Sequence, residues 1–285
     1  MTPRTQFTLG DIFRISLSAY RQRFRSLMGI SLVFLLPFDI INAYVQLRFF
    51  GAVPTNWMAK FQQAHSVSEA IAAIPPVYTT WMPFVFMLYS LVVLPLMAVA
   101  TSRVTVGMVV HGFDVPVQEA GNDAFRKWPM SFVTLLLVYG LYGVACLAAS
   151  WVIGLGVGLA ASVSQVFGVL VGVIGLLAAL AASIWYWVRA AFVPYVIAEE
   201  KRGYAAALRR SFELTKGEVW RLVGFFLALS LLLSAADGFL LLLGGVFAVI
   251  PGLGVVVAVV ASLIVVPFGF VALAVMYIDL RMRKA

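Results

Sequence analysis

Long intervals without a single charged side chain alternate along this chain with short charged ones. Glu69 and Arg103 are separated by 33 uncharged residues and Lys127 and Arg189 by 61, while the 57 residues from Leu222 to Ile278 hold one charge, Asp237. A helix crosses a bilayer with about 20 apolar residues, so the last two intervals each demand two crossings. Their breaks are expected at 154–165, where Gly154, Gly156 and Gly158 precede Ser162, Ser164 and Gln165, and at Pro251-Gly252-Leu253-Gly254. A first span is predicted over 27–44 and a second over 81–100. The polar stretch between them, with Pro54, Asn56, Lys60, His65 and Glu69, reads as a loop holding one short helix closed by Pro75-Pro76. The sum is an all-α, polytopic membrane protein with six transmembrane helices.

The charged intervals carry helical periodicity of their own. Thr8 and Asp11 have the capping-box spacing, and they precede an apolar stripe at Ile12, Phe13, Leu17, Tyr20, Phe24 and Leu27, one face of a helix. With Ser16 laid on Ser211, that stripe maps onto Ala207, Leu208, Phe212, Thr215, Val219 and Leu222, and Arg14 and Arg21 fall on Arg209 and Lys216. A third copy lies at Ala120, Gly121, Phe125, Trp128, Phe132 and Leu135. The pattern predicts a single membrane domain over 1–285 built from three helix-hairpin repeats, at about 8–111, 112–202 and 203–285, each opened by a cytosolic amphipathic helix. Every returning span holds a proline after an aliphatic residue, at Leu94-Pro95, Val193-Pro194 and Val266-Pro267, and each proline should kink its helix. Arg14, Arg21 and Arg25, with Arg209 and Arg210, are placed to meet anionic headgroups from such helices; as flanks of spans they also orient the chain.

Composition agrees. The chain is 63% hydrophobic and 11% charged, with mean hydropathy +1.01, where a soluble domain carries about 25% charged residues. The net charge of +8 is explained by where it falls: on the six-span reading, 18 of the 20 Lys and Arg lie on one side, leaving Arg48 and Lys60 on the other. That bias places both termini in the cytosol and removes the case for nucleic acid. The first run, from Leu27, reads as a retained signal anchor, because it contains Pro37 and Asp39 and lacks a small-residue cleavage site.

Candidate chemistry is sparse. The single cysteine, Cys146, excludes a disulfide framework and a cysteine metal site. His65 and His111 fall on opposite sides of the bilayer, and there is no phosphate loop, nucleophile elbow or zinc-protease helix; no enzyme activity, metal or cofactor is expected. Ionisable groups within spans are costly and mark function or contact with water, which singles out Asp39 and Asp237. The repeat alignment sets Asp237 opposite Asn42, one turn beyond Asp39, so the three could line one polar pocket between the first and fifth spans. The plainer reading, which the sequence favours, is that both acids reach the outer surface.

The run from Glu199-Glu200-Lys201 through Leu208-Arg209-Arg210-Ser211-Phe212-Glu213-Leu214-Thr215-Lys216-Gly217 to Trp220-Arg221 resembles the membrane domain attached to some bacterial glycerophosphodiester phosphodiesterases, and related free-standing multi-pass proteins. Leu9-Gly10-Asp11-Ile12 and Tyr277-x-Asp279-Leu280-Arg281 are similar to that group as well, so the resemblance covers nearly the whole chain. It implies a bacterial cytoplasmic-membrane protein near lipid metabolism or envelope upkeep. It does not imply the esterase, whose metal-binding carboxylates and paired histidines have no counterpart here. The expected role is therefore a non-catalytic scaffold or accessory subunit that meets membrane lipids and a membrane or cytosolic protein partner. The alternative is a small transporter using a pocket near Asp39 and Asp237.

Overall fold

The computed structural model describes residues 7–49, 57–63, 69, 72–75, 77–246 and 253–284, and these are helical without a strand. The turn expected at Pro251-Gly252, and Pro54, Asn56, His65 and Pro76 of the polar stretch, lie outside the described residues. In chain order the helices are α1 (Leu9–Gln22), α2 (Phe24–Phe34), α3 (Leu36–Phe49), a short α4 (Trp57–Gln62), α5 (Tyr78–His111), α6 (Val117–Val163), α7 (Gln165–Ala190), α8 (Val193–Glu200), α9 (Tyr204–Thr215), α10 (Val219–Val246) and α11 (Leu253–Lys284). Five helices among the described residues are long and apolar enough to cross a membrane, or six when the bent pair α2 and α3 is taken as one span.

That bend, 48° between α2 and α3, has a local cause. Pro37 has no N–H to give the carbonyl of Val33, and its ring crowds that carbonyl, so the helix turns at Leu35. The three prolines expected to kink returning spans act in three ways. Ahead of Pro95, α5 widens into a π turn at Tyr89–Val93, which absorbs the missing donor without a break. Ahead of Pro194 the helix stops at Ala191-Phe192 and restarts as α8 with the proline in its first turn, where no N–H is needed. Pro267 sits inside an unbroken α11. One residue beyond the carbonyl it leaves without a helical donor, the Ile264 carbonyl accepts the Tyr20 hydroxyl at 2.7 Å.

The capping box forms as its spacing dictates: the Asp11 N–H donates to Thr8 Oγ1 and the Thr8 N–H to the Asp11 carboxylate, each at 3.1 Å. The helix it starts is rotated from the expected stripe. α1 buries Ile12, Ser16, Ala19 and Tyr20 and leaves Leu17 49% exposed. Its apolar side rests on protein, with Phe13 stacked on Phe225 at 5.5 Å and Tyr20 edge-on to Phe268 at 5.8 Å. The third amphipathic segment is not a separate helix. It continues into the third span as the 47-residue α6, through Pro129, and it buries Ala120, Ala124 and Lys127 while Phe125 is 57% exposed.

α6 and α7 form an antiparallel hairpin whose turn is tighter than expected. The glycines at 154–158 remain helical and the chain reverses at Ser164 alone, whose side chain caps α7 by accepting the Phe167 N–H at 3.1 Å. Close approach near the tip requires Gly168, where a Cβ would sit 2.9 Å from that of Ala161. Below the tip, the Tyr186 hydroxyl donates to the Val138 carbonyl at 2.7 Å and Tyr142 stacks on Tyr186 at 5.4 Å.

The tightest packing lies at the end where both described termini meet. Residues Leu96 to Ala100 of α5, Val193 to Ala198 of α8 and Val271 to Tyr277 of α11 are almost wholly buried there, whereas the outer stretches of α6 and α7 expose most of their apolar side chains.

Candidate functional site

One buried and two partly buried acids fasten the terminal end. Asp279, 1% exposed, accepts from Arg221 at 2.7 Å, from Arg283 at 2.9 Å and from the Phe7 N–H at 3.1 Å. The same two arginines donate to the Phe7 carbonyl, so the segment before α1, the start of α10 and the end of α11 are one hydrogen-bonded unit. Glu200 holds Arg210 through both carboxylate oxygens and accepts the Tyr277 hydroxyl at 3.2 Å. Asp123 pairs with Arg103 at 3.2 Å and Lys127 at 2.7 Å, and Lys127 also donates to the Ala198 carbonyl at 2.6 Å. Each charge has a near partner, the condition for keeping an ion in a protein interior.

The five arginines singled out for headgroups separate accordingly. Arg14 and Arg209 are exposed, each paired along its own helix, with Asp11 at 2.9 Å and Glu213 at 3.1 Å. Arg21 and Arg25 are exposed. Arg210 turns inward onto Glu200, so it is a fastening of the fold. Arg189, which the sequence did not single out, bridges α7 to α9, donating to the Phe212 carbonyl at 2.7 Å with its guanidinium over the Trp185 and Phe212 rings.

The intramembrane acids do not share a site. The plainer reading had both acids reaching the outer surface; Asp237 is exposed on α10. Asp39 contradicts that reading: it is 7% exposed, and its Oδ2 has no hydrogen-bond partner. The bend at Leu35 brings α3 onto α5 and α11, and the pocket that results, about 320 Å³, is lined by Asp39, Asn42, Tyr89 and Ser262 among apolar side chains. Ser262 stands on the same lining as the carboxyl. The pocket therefore lies between the first, second and sixth spans, and the expected partnership of Asp39 and Asn42 with Asp237 across the first and fifth is corrected. Tyr89 and Ser262 were missed because they come from distant spans; a lone serine in the apolar run of α11 was the one available signal.

A second cavity, about 590 Å³ and partly open to the surroundings, lies between α5, α6, α7 and α8 with α10 and α11 closing it. Leu94, Leu135, Trp187, Pro194, Phe226 and Leu273 give its character. Two of its hydroxyls are spent within the fold, Ser183 donating to the Ala179 carbonyl at 2.7 Å and Tyr195 to the Phe270 carbonyl at 3.1 Å. It offers an occupant apolar surface.

Comparison with family models, curated proteins and solved structures finds no match. The arrangement stands on its own chemistry: an apolar cleft, a smaller pocket with an unsatisfied carboxylate oxygen, and, among the described residues, no cluster of three metal-ligating side chains.

Proposed function

We propose that the chain is a non-catalytic, lipid-interacting scaffold of a bacterial cytoplasmic membrane, with both termini in the cytosol, that holds one lipid acyl chain in the cleft between α5, α6, α7 and α8. The cleft carries this reading. At about 590 Å³ it falls in the usual range of about 300–1,000 Å³ for small-ligand sites, and a mostly apolar lining on which two of the three hydroxyls are spent within the fold suits a hydrocarbon. The cytosolic orientation rests on the 18 to 2 division of basic residues, and the bacterial setting on the resemblance carried by residues 199–221. Descent from three repeats is supported by burial. Ile12, Ser16, Ala19 and Tyr20 of α1 correspond one for one to Ala207, Ser211, Leu214 and Thr215 of α9, and both sets are buried. Ala120, Ala124 and Lys127 of α6 follow the same phase.

The test is native mass spectrometry of protein purified in mild detergent, comparing the native chain with Ala191→Phe, which places a ring in the cleft. The native protein should retain one lipid and the variant should lose most of it at unchanged thermal stability; equal retention refutes the reading. A transporter is the second reading, favoured by the buried Asp39 and Asn42 pocket. It now has to work without Asp237.

A further inference from the structure

The Asp39 pocket poses a chemical question that the acyl-chain cleft does not answer. A carboxylate withdrawn from water is stable when a cation or a set of donors meets it, yet Oδ2 of Asp39 meets neither, and no Lys, Arg or His lines the pocket. Among the described residues no donor meets that oxygen, and an external one would complete it. A bare metal ion suits the pocket poorly, because about 320 Å³ far exceeds the space of one dehydrated ion and a single carboxylate supplies little of a coordination shell. The walls are aromatic instead. Phe38 and Tyr89 meet at 5.0 Å and line the pocket with the carboxyl, as does Phe86, and a carboxylate among aromatic rings is the chemistry that recognises an organic ammonium through ion pairing and cation–π attraction.

We propose that this pocket binds an organic ammonium group carried on an apolar body, with the Asp39 carboxylate taking the N–H donors, Asn42 and Ser262 offering further acceptors, and the Phe38 and Tyr89 rings flanking the charge. The remainder of the lining, Met82, Val85 and Val266 among it, holds the apolar part. The same chemistry is supplied by the headgroup of an aminolipid and by a free amphiphilic amine. The inference does not rest on the acyl-chain cleft, with which the pocket shares Phe86 alone.

The test compares dodecylamine, cationic at neutral pH, with dodecanol for binding to the full-length purified protein. The native chain should bind dodecylamine saturably and at least about tenfold more tightly than dodecanol, and Asp39→Asn should remove that preference while leaving dodecanol unaffected, a loss corresponding to about 1.4 kcal/mol. Phe38→Leu keeps the apolar volume and removes a ring; it should weaken dodecylamine about threefold and leave dodecanol unchanged, which keeps the inference testable should Asp39→Asn fold poorly. Competition in nanodiscs then identifies the source. If phosphatidylethanolamine displaces dodecylamine and phosphatidylglycerol does not, the natural occupant is a lipid headgroup; if neither displaces it, the occupant is a free amine. Equal binding of amine and alcohol by the native chain, or an undiminished preference for the amine in both variants, overturns the proposal. Ala191→Phe, which blocks the cleft, should leave dodecylamine binding intact, so failure of one reading is not failure of the other.

Discussion

Replacing Asp279 by Asn probes the hub that joins the two ends of the chain. The native carboxylate satisfies three donors from three segments, Arg221 of α10, Arg283 of α11 and the Phe7 N–H. The amide keeps a carbonyl oxygen for one of them and turns an N–H₂ group toward a guanidinium, setting donor against donor. Removing one partner of a buried ion pair costs about 3–5 kcal/mol. The lower end applies here, because Arg221 and Arg283 are 19% and 15% exposed and both have Glu218 within 4 Å, at 3.8 and 3.9 Å. At about 2 °C per kcal/mol for a chain of this size, a loss of about 3 kcal/mol lowers the midpoint by about 6 °C. The assay is the temperature at which detergent-solubilised protein loses its monodisperse size-exclusion peak. Arg221→Gln leaves Arg283 on the acid and should cost less. The double variant should cost less than the two single losses added, since the second substitution breaks a bond already lost. An Asp279→Asn midpoint within about 1 °C of native would refute the hub, and with it the claim that the Phe7 segment is fastened by charge.

The described part of the chain carries two further expectations. Reporter fusions after Lys60 and at Ser162 should report the outer side and fusions at Glu119 and after Glu213 the cytosol; a cytosolic signal at Ser162 would remove α6 and α7 as crossings. The Thr8 hydroxyl holds the Asp11 carboxyl below its ordinary value of 3.8, so the cap stabilises α1 fully above that value and loses the contribution as pH falls below it, through the lowered folded pKa. The protection of the first-turn amides of α1 against hydrogen exchange, relative to the intrinsic rate at each pH, should fall in that window and not between pH 5 and 8, and Thr8→Ala should lower it at every pH by about fivefold, the equivalent of about 1 kcal/mol.

How much of this was legible in the sequence depends on which solvent each helix face meets. Lengths of uncharged runs announced the spans, because crossing a bilayer fixes a minimum length and little else, and the capping box announced the start of α1 because its geometry is local. The phase of the helices was not legible by the rule used to read it. In water the large apolar face is the buried one; beside a bilayer the lipid is as apolar as leucine, so large side chains can point outward and small or weakly polar ones mediate helix contact. That is the arrangement found: Ser16, Ala120, Ala124 and Ser211 are fully buried while Leu17 and Phe125 look outward. A stripe of phenylalanine and leucine therefore marks the wrong side by about one residue, and a stripe of serine and alanine marks the right one. The same reversal explains the two acids. Asp39 and Asp237 sit in equally apolar runs, and apolarity alone does not say that the first is carried onto Tyr89 and Ser262 while the second stays on an outer face. Pro37, two residues before Asp39, is the local sign that separates them: a bend within a span turns the residues just beyond it toward neighbouring helices, and an acid placed there has protein for its surroundings.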